Sequence, residues 1–259
     1  MKSVGSPSAS DARSLAADGP APILAAAGIG KRFGALTVLH NVDFQVFAGE
    51  AVGVVGPNGA GKTTLFNVLT GALPPSAGSV HYDGQDVTGL GAPGRCKLGI
   101  ARSHQVPRPF GGMTVFENLH VAAEIGANCK GQAANELCLD ALELCAMLPL
   151  ANRRADTLGL LDRKRLEMAR ALATRPKVLL LDEIGGGLTD GEALQLVEII
   201  REVLGRGTTI VWIEHMVHVL LQVVTRLVCM ESGAVLCEGE PKAVMQDPAV
   251  IAAYLGSMP

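Results

Sequence analysis

The sequence predicts an α/β protein built on a mostly parallel sheet, and two stretches carry most of that prediction. Gly56–Thr64 fits the pattern G-x-x-x-x-G-K-[ST], with a short apolar run at 51–55 before it and apolar residues at helical spacing over 65–70 after it. Val178–Glu183 consists of four apolar residues followed by two carboxylates. Apolar runs of this kind are typical of strands buried in parallel sheets, whose carboxyl ends form ligand sites.

Composition bounds the possible functions. A chain of 259 residues can bury one large core or two modest ones. The net charge of −3 gives no overall positive potential that would attract a phosphate backbone, so nucleic acid is not an expected partner. The six cysteines include no C-x-x-C pair and indicate reduced thiols in a cytosolic protein. No apolar run approaches the roughly 18 residues of a membrane span.

The first segments of the chain predict a leader and then an antiparallel β subdomain. Residues 1–22 are rich in Ser, Ala, Gly, Pro and Asp, and we expect them to be disordered. Apolar segments at 23–27, 36–39 and 42–47 alternate with turn signals. Phe33 could stack on a nucleobase or pack in the sheet, and its spacing alone favours packing.

The Gly56–Thr64 pattern predicts a phosphate-binding loop. Its glycines let the backbone curl so that N–H groups point at an anion, and the following helix adds its positive end. Lys62 would reach the β- and γ-phosphates, and Thr63 would bind Mg²⁺. The predicted nucleotide-binding residues are Gly56, Pro57, Asn58, Gly59, Ala60, Gly61, Lys62, Thr63 and Thr64.

A hairpin and three helices are predicted for the middle of the chain. Val80–Gly84 indicates the hairpin, and residues 115–148 indicate two helices separated by glycines. A third helix is expected to begin near Asp162, as its N-cap, and to run to Thr174. Its basic residues are predicted to form a solvated face: Arg163, Lys164, Arg165 and Arg170.

The acidic strand end predicts the chemistry that accompanies the loop. Next to a phosphate loop, Asp182 would support Mg²⁺ and Glu183 would activate or orient water, although a strand that ends in a polar turn is common in isolation. A further strand at 208–213 ends in Glu214 and His215, and this histidine could meet the γ-phosphate. The remaining sequence predicts a helix at 216–224, a hairpin at 226–237 and two short helices over 241–255.

The order of these elements resembles the nucleotide-binding subunit of an ATP-binding cassette (ABC) transporter over residues 23–256. The subunits of branched-chain or hydrophobic amino-acid importers are the most similar. Besides the phosphate loop, the matching stretches are Lys31–Gly34, Ala101–Gln105, Met113–Leu119, Arg165–Leu172, Leu179–Glu183, Ile213–His215 and Asp247–Gly256.

The resemblance implies a P-loop NTPase (RecA-like) core, an N-terminal antiparallel β subdomain and a helical signature subdomain at about 95–175. It implies that Phe33 stacks on adenine and that Gln105 touches Mg²⁺ or water. It further implies that Glu183 is the catalytic carboxylate and that His215 contacts the γ-phosphate, alongside Lys62. In this family two subunits enclose two ATP molecules, and each site is closed by the partner's signature loop.

The signature loop is where this sequence departs from the family. The pattern L-S-G-G-Q, or L-S-Y-G-Q, aligns with Leu158, Gly159, Leu160, Leu161 and Asp162. A serine hydroxyl is lost at 159, and a side chain at 161 would obstruct close backbone approach to phosphate. We therefore hypothesise an asymmetric heterodimer with one hydrolysing site, and a homodimer remains an alternative.

The implied partners are integral membrane permease subunits, a second ATPase subunit and a solute-binding protein, with this chain at the cytoplasmic face of the membrane. A first alternative is a soluble ABC ATPase of DNA repair or translation, but long coiled-coil insertions and tandem cassettes are lacking. A second is a non-hydrolysing scaffold, suggested by Leu161 and opposed by Glu183 and His215. Amino acids are the expected cargo, and urea, amides or other small solutes fit nearly as well.

Overall fold

A computed structural model describes residues 20–255 of the chain. The predicted disordered leader therefore lies, except for residues 20–22, outside the described residues. The strands are β1 Leu24–Phe33, β2 Leu36–Val46, β3 Ala51–Val55, β4 Ala77–Tyr82, β5 Gln85–Asp86, β6 Ile100–Ser103, β7 Val178–Asp182, β8 Thr209–Ile213, β9 Arg226–Glu231 and β10 Ala234–Gly239. The α-helices are α1 Lys62–Leu69, α2 Ala92–Leu98, α3 Val115–Ile125, α4 Gln132–Leu144, α5 Leu160–Leu172, α6 Asp190–Gly205, α7 Val217–Leu220, α8 Pro241–Gln246 and α9 Pro248–Leu255.

Within the described range the strands form an antiparallel sheet and a larger, mostly parallel sheet. The antiparallel sheet has the order β2-β1-β4-β5. The three apolar segments predicted before the phosphate loop are in fact two long strands, because the second and third join in β2, where Asn41 has a φ of 51° and the register with β1 shifts without ending the pairing. Gly28 has a φ of 60°, and its N–H donates to Asp43 Oδ1 at 2.7 Å. The predicted hairpin of β4 and β5 is present.

The larger sheet has the order β10-β9-β3-β8-β7-β6, and only β10 pairs antiparallel in it. Each residue of β3, β7 and β8 is buried, as the continuous apolar runs predict. Because β3, β8 and β7 are neighbours and run in one direction, the loops that follow them leave the sheet at the same edge. The predicted α/β fold is thereby confirmed, and the phosphate loop is placed beside the two acidic strand ends.

Apolar side chains on the two faces of this sheet belong to two separate clusters. One cluster contains Leu179, Leu181 and Trp212 together with the buried sides of α3, α4, α5 and α6. The other contains Leu180 and Val211 together with α1 and the antiparallel sheet. Successive residues of β7 and β8 thus alternate between the clusters, as period-two strands require.

Three details differ from the prediction. Helix α5 begins at Leu160 with Gly159 as its N-cap, and Asp162 lies within its first turn, 3.5 Å from Arg165. The basic face of α5 is not wholly solvated, because Lys164 is buried. The helix predicted over 216–224 is shorter, since Thr225 N–H already donates to Ala51 O at 2.9 Å and the chain must turn into β9.

In the described part of the chain, no helix combines the length and apolar character needed to cross a bilayer.

Candidate functional site

The loop between β3 and α1 has the left-handed backbone that its glycines predict. Gly56, Gly59 and Gly61 have φ values of 142°, 82° and 97°. A Cβ at Gly56 would lie 2.1 Å from Met230 O, and one at Gly61 would lie 2.8 Å from Leu39 Cδ2. Glycine at these two positions therefore satisfies both the backbone conformation and the close approach of neighbouring strands.

Lys62 closes this loop from inside. Its Nζ donates to Gly56 O at 2.6 Å and to Pro57 O at 3.0 Å. Burial lowers the pKa of Lys62, and the negative charge of Glu183 opposes that effect. A cavity of about 200 Å³ lies over the loop, lined by Val38, residues 58–64 and Glu183. Seven of the nine predicted loop residues, 58–64, thus line one pocket, and the other two, Gly56 and Pro57, hold Lys62 through their carbonyls.

Asp182 lies at the end of β7, almost completely buried, and pairs with the guanidinium of Arg102. Arg102 also donates to Asn67 Oδ1 on α1. The second carboxylate oxygen, Asp182 Oδ1, has no hydrogen-bond partner among residues 20–255. An orphaned buried carboxylate oxygen beside a phosphate loop fits a Mg²⁺ ligand, because hard divalent cations take oxygen donors.

Three of the predicted catalytic residues meet at one carboxylate. Glu183 Oε1 lies 2.9 Å from His215 Nε2, and Glu183 Oε2 accepts a hydrogen bond from Gln105 Nε2. These residues follow β7, β8 and β6 respectively, so the convergence arises from the shared edge of the parallel sheet. Because Glu183 also lines the pocket over the phosphate loop, this cluster lies beside the space where a terminal phosphate would end.

Two further charged residues hold these loops, and neither was predicted from the sequence to take part in the site. Glu214 is buried, and its carboxylate accepts hydrogen bonds from the N–H groups of Gly185 at 2.9 Å and His215 at 2.9 Å. Lys164 donates to Gln105 O at 2.7 Å and to Glu183 O at 3.3 Å, and burial lowers its pKa. The only signal for Glu214 was its place at a strand end, and Lys164 gave none because it lies in a run of basic residues.

Phe33 lies at the end of β1 with its ring 47% exposed. The ammonium of Lys31 lies 5.1 Å from the ring centroid, within the range of a cation–π contact. This exposure does not support the sheet-packing alternative, because the ring is outside both core clusters. Stacking on adenine stays a prediction.

The variant signature loop lies away from the pocket described above. Leu158 is buried, Gly159 and Leu160 are exposed, and Leu161 is half-buried against the core cluster that contains α5. Leu160 lies beside the segment after β7, since a Cβ at Gly187 would approach Leu160 Cδ2 at 3.2 Å. The exposed part of the loop therefore faces outward, where a partner could reach it.

The sequence matches two family models. A model described as ABC transporter matches residues 39–185. A second, described as branched-chain amino acid ATP-binding cassette transporter, matches residues 234–258.

Full-length relatives and solved structures are similar over nearly the whole chain. LivG, the high-affinity branched-chain amino acid transport ATP-binding protein of Escherichia coli K12, is 36% identical over 250 residues, covering 91% of this chain and 98% of LivG. BraF of Pseudomonas aeruginosa, of the same description, gives the same identity and coverage. The crystal structure of an ABC transporter's ATP-binding cassette in its ADP conformation superposes with a TM-score of 0.84 at 33% identity, covering 91% of this chain and 99% of that one.

Proposed function

Because the chain belongs to the ATP-binding cassette family of ABC transporter ATPases, we propose that it hydrolyses ATP to drive import of branched-chain amino acids or similar small solutes. The cargo class comes from the names of LivG and BraF, both described as branched-chain amino acid transport proteins. The convergence of Gln105 and His215 on Glu183, beside the phosphate loop, is the observation that supports hydrolysis best.

The phosphate loop would bind the triphosphate through its backbone amides and through Lys62. Lys62 would exchange its two carbonyl partners for phosphate oxygens, which are stronger acceptors because they are charged. Phe33 would stack on the adenine ring from the antiparallel sheet.

Thr63, Asp182 and Gln105 would hold Mg²⁺. When bound, this ion would supply positive charge that offsets the negative charge of the phosphate oxygens. The orphaned oxygen of Asp182 and the exposed hydroxyl of Thr63 supply oxygen donors of the type it requires.

Glu183 would orient the attacking water and accept its proton. Gln105 and His215 each contact one oxygen of this carboxylate, so the carboxylate is preorganised and needs little reorientation during the reaction. His215 would turn its imidazole toward the γ-phosphate once a nucleotide fills the pocket.

This role is tested by ATP binding and ATP turnover of the purified chain and three variants. We expect Glu183→Gln to bind ATP as the unmodified chain does and to lose at least about a hundredfold in turnover. We expect Lys62→Ala to weaken binding itself. Glu198→Gln is the control, because it makes the same change from carboxylate to amide at an exposed position on α6. Full turnover by Glu183→Gln would reject the assignment, and ATP binding without turnover in the unmodified chain and its complex would favour a nucleotide-dependent scaffold.

We infer that the chain pairs with a second, non-identical ATPase subunit. Its own phosphate loop and acidic strand end are complete, whereas the loop that it offers to a partner lacks a serine hydroxyl at Gly159 and exposes Leu160. The amides at the start of α5 remain available to a phosphate, so the weakened site could still bind ATP. Measuring the molecular mass in solution distinguishes a homodimer. In that case Glu183→Gln with ATP would form a dimer in the absence of any other ATPase subunit.

We further propose that permease subunits contact this chain at the cytoplasmic face of the membrane, next to Gln105. The segment after Gln105 exposes Val106 and Phe110, and an adjoining groove of about 260 Å³ lies between α2 and α5.

A solute-binding protein would complete the importer. In proteoliposomes that contain candidate permease subunits, uptake of labelled leucine compared with labelled urea would identify the cargo, and disulfide trapping at Val106→Cys would locate the permease contact.

A further inference from the structure

Helix α9 connects the end of the described chain to the phosphate loop. It is seated by Val250 and Ala253, which are buried, and its first turn is fixed by Asp247, whose Oδ1 accepts from Ala249 N–H at 2.7 Å. Tyr254 is half-buried on the same helix and packs against the core cluster that contains Cys229. Its ring is therefore held in place by apolar contacts independent of its hydroxyl.

The hydroxyl of Tyr254 reaches the first residue of the loop. Gly56 N–H donates to Tyr254 Oη at 2.9 Å, across 198 positions of sequence. The same residue's carbonyl accepts from Lys62 at 2.6 Å, so Gly56 is held through its N–H by α9 and through its C=O by the phosphate-binding lysine. Met230 O restricts Gly56 on a third side.

Tyr254 does not line the cavity over the loop, which is formed by Val38, residues 58–64 and Glu183. It contacts the loop from behind, next to a crevice between residues 57–60 and Ala253. Its action on a bound nucleotide would thus be indirect, through the backbone. Burial raises the pKa of Tyr254, so the hydroxyl keeps its proton while its oxygen accepts the Gly56 N–H.

We propose that Tyr254 is a positioning residue for the phosphate loop: its hydroxyl fixes Gly56 in the conformation that binds the triphosphate, so that docking of α9 raises the affinity for ATP. The proposal rests on the nucleotide-binding role given above. Gly56 is buried, and its N–H would lose its acceptor if the hydroxyl were removed. The first turn of the loop would then sample other conformations, and binding would be weakened by the fraction of molecules in them.

The chain contains two tyrosines, which provide a matched pair of variants. Tyr254→Phe keeps the ring and its packing and removes only the hydroxyl, which accepts the Gly56 N–H. Tyr82→Phe removes a buried hydroxyl that makes no hydrogen bond within residues 20–255. Ile251→Ala trims an exposed side chain of α9 that is outside the site.

The experiment measures ATP affinity, KM and kcat for the full chain, together with amide hydrogen exchange in the peptide that spans 56–62. For Tyr254→Phe we expect ATP binding about five- to tenfold weaker, KM raised in proportion, kcat within about twofold and faster exchange at 56–62, as loss of one hydrogen bond predicts. Tyr82→Phe and Ile251→Ala should match the unmodified chain in all four measurements.

Unchanged affinity and exchange in Tyr254→Phe would overturn the proposal while leaving the ATP site intact. A lower melting temperature with unchanged affinity would also overturn it, since the hydroxyl would then only stabilise the fold. Equal weakening by Ile251→Ala would show that helix packing, not the hydroxyl, is responsible. If the unmodified chain bound no ATP, the nucleotide role itself would fail, and exchange at 56–62 would still report whether Tyr254 holds the loop.

Discussion

Glu214 provides a sensitive test of how the loops of the site are held together. Its carboxylate is buried and accepts three backbone N–H groups: Gly185 on one oxygen at 2.9 Å, and His215 and Met216 on the other at 2.9 Å and 3.4 Å. It thus joins the loop that carries Glu183 to the loop that carries His215. The perturbation is Glu214→Gln, which has the same shape but only one acceptor atom.

The expected effect follows from these contacts. In its better orientation the glutamine oxygen keeps the two bonds to residues 215 and 216, and its NH₂ group is left facing Gly185 N–H. One hydrogen bond to a charged group is lost and two donors oppose each other, so we expect a loss of about 1.5–3 kcal/mol in unfolding free energy. Gly185 follows Glu183 by two residues, and we expect turnover to fall about tenfold with ATP affinity nearly unchanged.

Urea unfolding followed by circular dichroism measures the stability, and phosphate release measures turnover. Glu198→Gln, at an exposed position paired with Arg201, is the control and should change the unfolding free energy by less than about 0.5 kcal/mol. If Glu214→Gln unfolds with the control and turns over ATP within twofold of the unmodified chain, Glu214 does not hold the two loops.

Three further predictions concern buried groups outside the nucleotide pocket. Replacing Lys164 by Met should lower kcat severalfold with little effect on ATP affinity, because the carbonyls of Gln105 and Glu183 lose their donor; unchanged kcat would contradict this. Replacing Arg95 by Met should lower the unfolding free energy by about 3–5 kcal/mol in urea titrations, because the fully buried guanidinium donates to four backbone carbonyls; a loss below about 1 kcal/mol would refute it. Burial raises the pKa values of Cys138 and Cys229 to about 11, so the folded state keeps protons that the unfolded state releases above about pH 8.5. Stability from these thiols should therefore fall between about pH 8.5 and 11, by about 1.4 kcal/mol per pH unit for each, and replacing both by Ala should flatten the stability–pH curve; an unchanged slope would contradict it.

The parts of the site that could be predicted are those determined by residues that are consecutive in the sequence. The phosphate loop is encoded by glycines whose conformations are local, and Asp182 and Glu183 follow a short apolar run that is typical of a buried strand. Neighbouring parallel strands also predict that His215 lies near Glu183. Gln105 was placed only by resemblance, since nothing in its spacing determines where its side chain points.

The remaining features depend on contacts between distant positions. Arg102 and Asp182 are 80 residues apart, and a pattern of charges cannot pair them. The start of α5 was placed at Asp162 because that residue is a good N-cap, yet Leu161 packs on the core and the helix begins after Gly159. Lys164 was assigned to a solvated face because it lies in a run of basic residues, and the carbonyls to which it donates come from other loops.

The resting position of Lys62 has a consequence for which anions the loop can retain. Its ammonium has already exchanged much of its water for two carbonyls of its own loop, so an incoming anion competes with those carbonyls and not with bulk solvent. A single phosphate or sulfate has few oxygens that could replace these carbonyls as acceptors. A triphosphate has several, which can accept hydrogen bonds from Lys62 and from the loop amides at the same time. A loop of this design discriminates by the number of contacts and favours a polyphosphate over a small anion such as phosphate or sulfate.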